Sequence, residues 1–184
     1  GGAPAIDADF AQLVHTGVEH LSGLGHRRIV ALMRETASDD AHARQDQAHE
    51  LLRAAQELGV DVLVRQVPEA ALAGADVVEA GGLIEGCSAV LSNNPAAVVG
   101  LACAAQAHGL SVPADLSVLT LGITQGNGRH GEAFSELSVD RESMGAEAGS
   151  LLLRCLRGEP DPAQHRGLMP AVLTDRGTTA LCRS

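Results

Sequence analysis

The feature that most constrains the fold of this chain is an alternation between short apolar runs and longer segments with helical periodicity. The strand-like runs lie at residues 28–33, 60–67, 88–92, 116–121 and 168–173, with shorter ones near 5–8 and at 136–140. The helical segments lie at residues 10–24, 41–58, about 72–83, 95–108 and 141–157. Strands and helices that alternate with short connections are typical of βαβ units. The sequence therefore predicts an α/β fold in which helices flank a parallel sheet.

Sheets of this kind bind ligands in the crevice at the carboxyl ends of their strands, and a polar loop after the strand at 28–33 opens there. This loop leads to Arg44, which lies on the apolar side of the next helix. A charge in that position needs a partner, because burying it unpaired is costly. The partner of Arg44 is either a nearby carboxylate or a bound ligand.

Two further loops reach the same crevice. Asn94 stands before Pro95, a pair that is typical of a helix start in which the asparagine is the cap. Asn93 then has its amide free at the strand terminus, either for a ligand or for the backbone of a turn. After the next strand, Gly122 either allows a ligand to approach the backbone closely or simply forms a turn.

The composition argues against several classes of partner. The 184 residues carry a net charge of −10, and this chain alone is a poor candidate for holding DNA, where phosphate neutralisation dominates affinity. Phe10 and Phe134 are the only aromatic residues, which argues against base stacking and against a sugar site built on aromatic faces. No apolar run reaches 18 residues, so no membrane span is predicted.

The ends and the cysteines indicate an intracellular protein. The first ten residues, GGAPAIDADF, lack the basic and apolar regions of a signal peptide. The four cysteines have no C-x-x-C spacing, which favours reduced thiols in the cytoplasm.

Motifs for catalysis, cofactors and metals are incomplete. Residues 126–131 match G-x-G-x-x-G, but no helix starts there to hold a pyrophosphate. His15 and His20 are five residues apart, whereas the zinc protease motif needs a spacing of four. No G-x-S-x-G motif is present. We therefore predict no catalytic residue, no cofactor and no metal site.

Four stretches, taken in order, resemble the effector-binding domain of LacI/GalR-type transcriptional regulators. They are GVEHLSGLGHRRIVAL (17–32), SAVLSNNPAAVVGLACAAQAHGLSVPADLSVLTLG (88–122), LSVDRESMGAEAGSLLLRCLRGE (137–159) and PAVLTDRGTTA (170–180). The resemblance implies a periplasmic-binding-protein type I-like fold, with two Rossmann-like subdomains and a small-molecule effector between them. It also implies a homodimer that binds operator DNA through a helix-turn-helix, a motif absent from this chain.

The resemblance also implies the domain limits. Residues 9–135 and 170–184 correspond to the C-terminal subdomain, and residues 1–8 and 136–169 to remnants of the N-terminal subdomain. Most of the N-terminal subdomain is then expected to be missing. The apolar stripe of the helix at 141–157 would lose its cover, and the strand at 136–140 would be unpaired. The cover is the C-terminal subdomain of the same chain, an exchanged second copy or another molecule, and of these we expect burial between molecules.

The resemblance implies roles for individual residues. Arg44 and Asn93 correspond to the effector-gripping arginine and asparagine, and the helix after Asn94 to part of the dimer seam, with Val98 and Ala102. The sequence departs from the family in having Gly122 where an aspartate that binds hydroxyls is usual, and Arg141 where an aromatic is usual. We list Gly122 and Arg141 with the effector site, and we expect an anionic effector rather than a neutral sugar.

Two functions follow from the resemblance. The leading interpretation is an effector-sensing and dimerisation domain of a cytoplasmic transcriptional regulator, which couples ligand binding to operator affinity. The alternative is a solute-binding receptor of a transport system with the same fold. The N-terminus of the full-length protein distinguishes the two, because it carries either a helix-turn-helix or an export signal.

Overall fold

The computed structural model describes residues 5–35, 41–79, 86–122, 133–158 and 166–183, without the side chains of 41–47 and 166. The strands are β1 (Ala5–Ala8), β2 (Arg28–Arg34), β3 (Asp61–Val67), β4 (Ala89–Ser92), β5 (Ser117–Gly122), β6 (Ser135–Val139), β7 (Arg166–Met169) and β8 (Ala171–Thr174). The helices are α1 (Phe10–Gly23), α2 (Ala41–Leu58), α3 (Ala71–Glu79), α4 (Pro95–Ala107) and α5 (Arg141–Leu156).

Six of these strands form one sheet in the order β3-β2-β4-β5-β6-β8. Its pairs are parallel except for the antiparallel pair of β6 with β8. β1 and β7 form a separate parallel pair. The predicted α/β fold with a mostly parallel sheet is thus confirmed.

Two apolar clusters cover the two faces of the large sheet. One contains residues of α1 and α2 together with Leu91, Leu119 and Leu121. The other contains residues of α3 and α4 together with Val90 and Val118. Because the central strands β4 and β5 are buried on both faces, their sequences are nearly continuous apolar runs.

Two glycines let α3 and α4 pack closely. A Cβ added to Gly74 would collide with the carbonyl oxygen of Ala97, and one added to Gly100 with that of Ala71. This close approach covers the inner side of α4, where Val98 is fully buried. Val98 is therefore a core residue of this chain, whereas the resemblance implies a dimer contact for it. Ala102, the other residue expected in the dimer seam, is partly buried.

The structure differs from the expected subdomain boundary. The strand expected to be unpaired at 136–140 is β6, which pairs with both β5 and β8 in the large sheet. Along α5, Leu151 is buried, whereas Leu152 and Leu156 are exposed. The expected cover of this helix by another molecule stays a prediction.

The segment after β8 is tied to the amino-terminal edge of the sheet through His26. The His26 ring lies 2.7 Å from Ser88 Oγ through Nδ1 and 3.0 Å from the Ala180 carbonyl oxygen through Nε2. Since the carbonyl can only accept, Nε2 carries the proton and Nδ1 accepts from the Ser88 hydroxyl. Cys182 Sγ in turn donates to Ser88 Oγ at 3.3 Å.

Burial lowers the pKa of His26, and the nearby His20 lowers it further, against the opposing effect of the bond to Ala180. The folded state therefore prefers the neutral ring. The resulting contribution to stability is complete above the unfolded pKa of about 6.5 and is lost as the pH falls below it.

We therefore predict that the free energy of unfolding decreases as the pH falls below about 6.5, before the carboxylates begin to titrate. His26→Gln should flatten this decrease, because the titrating ring is gone. The measurement is urea denaturation across this pH range. His49→Gln, at an exposed position on α2, is the matched control and should keep the parent's profile. An unchanged profile in the His26 variant would contradict this account.

Candidate functional site

The candidate site is the crevice at the carboxyl ends of β2, β4 and β5. These strands are adjacent and parallel, with Leu32 paired with Ser92 and Ser92 paired with Thr120. The residues that follow them therefore meet at one edge of the sheet, where open α/β sheets bind ligands. The loops predicted from sequence to reach this crevice start at that edge.

Asn93 is the buried polar group at the end of β4, with 7% of its surface exposed. Its Oδ1 accepts a hydrogen bond of 2.7 Å from the backbone N–H of Arg34, at the end of β2. Among the described residues, its Nδ2 has no hydrogen-bonding partner. A buried amide donor left unpaired is costly, so this group is suited to a ligand that fills the crevice.

Asn94 has the structural role predicted for it and is fully buried. Its Oδ1 caps α4 by accepting from the N–H of Ala97 at 3.2 Å. Its Nδ2 donates to the carbonyl oxygens of Val67 and Pro68 at 3.2 and 3.0 Å. The side chain therefore joins the start of α4 to the end of β3, and it is not available to a ligand.

A carboxylate lies at the end of β5, although position 122 itself is a glycine. Glu136 on β6 packs its carboxylate against Gly122, so closely that a Cβ at Gly122 would collide with Glu136 Oε1. Glu136 Oε2 lies 3.4 Å from Arg176 Nη1. The carboxylate at this strand end thus comes from Glu136 and not from position 122 itself.

Sequence reasoning missed Glu136 because its position depends on the pairing of β5 with β6. That register places Glu136 beside Thr120 and Ser138 beside Gly122. The one local signal was a glycine at a strand end, next to a strand that carries an acidic residue. Nothing in the sequence by itself joins these two positions.

Arg44 and Arg141 are the two arginines that we predict to bind the effector. Arg44 lies in α2, but its side chain is outside the described residues. Arg141 is an exposed residue at the first position of α5 and has an interaction partner. Asp140 caps that helix, and its hydrogen bonds from Ser143 hold the pKa of the Asp140 carboxyl below its usual value. The placement of both arginines at the effector stays a prediction.

The remaining expectations concern motifs and metals. The G-x-G-x-x-G match at 126–131 lies outside the described residues. In the part of the chain that the structure describes, no group of three or more His, Cys, Asp or Glu side chains could hold a metal ion. None of the described helices is long and apolar enough to cross a membrane.

A cavity of about 120 Å³ lies at the opposite edge of the sheet. Its lining includes His26, Ser88, Asp115 and Cys182. His26 and Ser88 are already bonded to the segment after β8, so this cavity offers fewer uncommitted polar groups than the crevice.

Comparison with protein families gives one match over most of the chain. The model of the periplasmic binding protein-like domain matches residues 18–179. A search of curated protein sequences finds no match to the chain.

Solved structures share the fold. A LacI family transcriptional regulator from Enterococcus faecium with bound ribose is 17% identical, with a TM-score of 0.74 over 98% of this chain and 66% of that one. One from Arthrobacter sp. FB24 in complex with lactose is 22% identical, with a TM-score of 0.76 over 97% of this chain and 67% of that one. The dimeric Lac repressor with a C-terminal deletion is 21% identical, with a TM-score of 0.78 over 97% of this chain and 64% of that one.

The chain thus spans about two thirds of the length of these solved structures. Their TM-scores show a shared fold, and at this low sequence identity the likeness shows the fold alone. The ligands in those crystals belong to those proteins.

We predict that the two neighbouring asparagines differ in their effect on stability. Asn94→Ala should lower the free energy of unfolding by about 2–4 kcal/mol, because it removes a helix cap and leaves two carbonyls without their donor. Asn93→Ala should lower it by only about 1 kcal/mol, since one hydrogen bond is lost. Chemical denaturation of both variants tests this difference, and equal losses would contradict the division of roles.

Proposed function

The chain belongs to the periplasmic binding protein-like domain family, and on this basis we propose that it is the effector-sensing domain of a LacI/GalR-type transcriptional regulator. The observation that carries ligand sensing is the Asn93 amide, buried at the crevice with its donor uncommitted among the described residues. The regulatory class is supported by the four sequence stretches and by the regulators that share the fold. In this proposal the domain senses a ligand and carries out no catalysis.

In this proposal the ligand acts by changing the relative orientation of the two subdomains. A ligand in the crevice alters the angle between them, and the motion is absorbed in the crossovers near Ala8-Asp9, 134–137 and 168–170. This changes the distance between the two helix-turn-helix motifs of the dimer, which lie elsewhere in the full-length protein and bind operator DNA. A coupling of roughly 1–3 kcal/mol between effector and operator is typical of such systems. A protein with this function works in the cytoplasm.

The crevice residues suggest the parts of the ligand that they bind. Asn93, which follows β4, donates to a ligand oxygen, and Gly122 leaves the end of β5 without a side chain of its own. Arg44, and Arg141 at the start of α5, favour a carboxylate or phosphate group on the effector. The solved neighbours hold ribose and lactose, so neutral sugars belong in any ligand screen beside anionic metabolites.

A second candidate is a solute-binding receptor of a transport system. The family model favours it as well, since its description covers periplasmic binding proteins. The first residues of the full-length protein distinguish the two functions: a helix-turn-helix supports the regulator, and an export signal supports the receptor.

We predict that the full-length protein is stabilised by a small metabolite in a thermal-shift screen. A ligand at a hundred times its Kd contributes roughly 2.7 kcal/mol, which is a shift of several degrees. Asn93→Ala should abolish the shift while it leaves most of the stability. Gln106→Ala, an exposed position on α4, is the control and should respond like the parent. A ligand that stabilises the Asn93 variant as much as the parent would contradict the assigned site.

We also propose a homodimer, through the outer side of α3 and α4. Val98 faces the interior, so the contact falls on neighbouring positions such as Ala102, which is partly buried, and Leu72, which is 77% exposed on α3. A large apolar side chain so exposed beside a tightly packed helix pair is suited to a twofold contact. One solved neighbour, the Lac repressor with a C-terminal deletion, is described as dimeric.

We predict that Leu72→Asp weakens this dimer by at least roughly tenfold, because it places a charge in an apolar contact. Sedimentation of the full-length protein over a range of concentrations measures the change. Leu181→Asp alters a side chain of similar exposure, 74%, on another surface and should leave the dimer intact. An unchanged dimer with Leu72→Asp would exclude this face.

A further inference from the structure

Glu136 has no part in the functions considered so far, yet its carboxylate lies at the end of β5. From its position we propose that Glu136, in the space left by Gly122, binds hydroxyl groups of the effector. The inference rests on the proposed sensing function and specifies the chemistry of that site. It makes the effector a polyhydroxylated metabolite, such as a sugar or a sugar derivative.

The sheet register brings the carboxylate to this position. β6 runs parallel to β5, with Glu136 beside Thr120 and Ser138 beside Gly122. The two strands are also joined by the Thr120 hydroxyl, which donates to the Ser135 carbonyl oxygen at 3.2 Å. A Cβ at Gly122 would lie 2.8 Å from Glu136 Cδ and 2.6 Å from Ser138 Cβ. The carboxylate therefore fills the volume in which a side chain at position 122 would stand.

Arg176 fixes one oxygen of this carboxylate. Its Nη1 donates to the Phe134 carbonyl oxygen at 2.7 Å and to Glu136 Oε2 at 3.4 Å. The backbone N–H of Arg176 donates to Ser135 Oγ at 2.9 Å. About three quarters of each charged side chain is buried, with 28% of Arg176 and 24% of Glu136 exposed. The carboxylate thus has a fixed orientation and a cation that neutralises it.

The other oxygen is uncommitted. Within the part of the chain that the structure describes, Glu136 Oε1 has no hydrogen-bonding partner, and it is the oxygen that lies over Gly122. An ionised carboxylate oxygen only accepts hydrogen bonds, so it needs a donor from the ligand. Since Arg176 already neutralises the pair, the site has little attraction for a cation. A neutral hydroxyl donor satisfies both conditions.

A complementary hydrogen-bond donor comes from the end of β4, on the other side of β5 from β6. β4 pairs directly with β5, and the uncommitted Nδ2 donor of Asn93 follows the end of β4. One edge of the sheet therefore carries a donor from Asn93 and an acceptor from Glu136. Hydroxyl groups both donate and accept, so one ligand with several hydroxyls can serve this donor and this acceptor together. An anion without hydroxyls offers no hydrogen-bond donor, so it would leave Glu136 Oε1 unsatisfied.

The test is calorimetric titration of the full-length protein with D-ribose, lactose, ribose 5-phosphate, gluconate and, as anions without hydroxyls, succinate and phosphate. For every sugar or sugar derivative that binds the parent, Glu136→Gln should lower the affinity roughly 10- to 100-fold. This is the effect expected for a lost charge-assisted hydrogen bond. Glu57→Gln removes a carboxylate paired with Arg53 on the outside of α2 and is the matched control, with unchanged affinity.

A second pair of variants tests the geometry. Gly122→Asp alone should weaken binding and lower stability, because its side chain competes with Glu136 for one space. Gly122→Asp combined with Glu136→Ala opens that space and returns a carboxylate to the same strand end. The double variant should bind more tightly than Glu136→Ala alone. A Glu136 carboxylate that only stabilises the fold would lower stability on removal and leave affinity unchanged.

The outcomes separate the two proposals. If the parent binds a sugar and Glu136→Gln binds it equally well, the role of Glu136 is wrong and the sensing function stands. If the parent binds only succinate or phosphate, the hydroxyl-bearing effector is overturned. If the parent binds none of these probes, the sensing function proposed for this crevice fails with it.

Discussion

The side chain of Asn94 is the contact on which the edge of the crevice depends. One fully buried amide caps α4 and at the same time bonds two carbonyl oxygens at the end of β3. Because β3 and β4 are not neighbours in the sheet, no ladder hydrogen bond could join them. The asparagine makes that connection and so fixes the direction in which the chain leaves β4. The position of Asn93, one residue earlier, follows from it.

The chemistry of the site rests on groups that the fold leaves uncommitted. Asn93 uses its oxygen to bind the backbone of Arg34 and retains its donor, while Glu136 uses one oxygen on Arg176 and retains the other. In each case the hydrogen bond within the protein orients the group, and the remaining donor or acceptor is suited to a ligand. Preorganised groups of this kind lose little entropy when the ligand binds. A donor that follows β4 and an acceptor from β6, on either side of β5, define a ligand by its hydroxyls.

The parts of the structure that could be predicted from the sequence are those determined by short local patterns. The apolar runs of β4 and β5 indicate strands, and the Asn94-Pro95 pair marks the start of α4. Both predictions are confirmed, because caps and burial on two faces leave a signal within a few residues. The fold class follows from the order of these elements.

The parts that sequence could not predict depend on contacts between distant segments. The carboxylate over Gly122 comes from a residue fourteen positions later, through the pairing of β5 with β6. The resemblance implies a dimer contact for Val98, whereas the close packing of α3 on α4 at Gly74 and Gly100 buries it within the chain. A single sequence contains neither the register of the strands nor the distance between the helices.

The central claim is that one ligand spans the ends of β4 and β5. A crystal structure of the full-length protein with the sugar or sugar derivative that it binds most tightly tests this directly. The account predicts ligand oxygens within about 3.2 Å of both Asn93 Nδ2 and Glu136 Oε1, with Arg176 still on Oε2. A ligand seated instead in the cavity beside His26, or bound in the crevice without contact to either group, would contradict it.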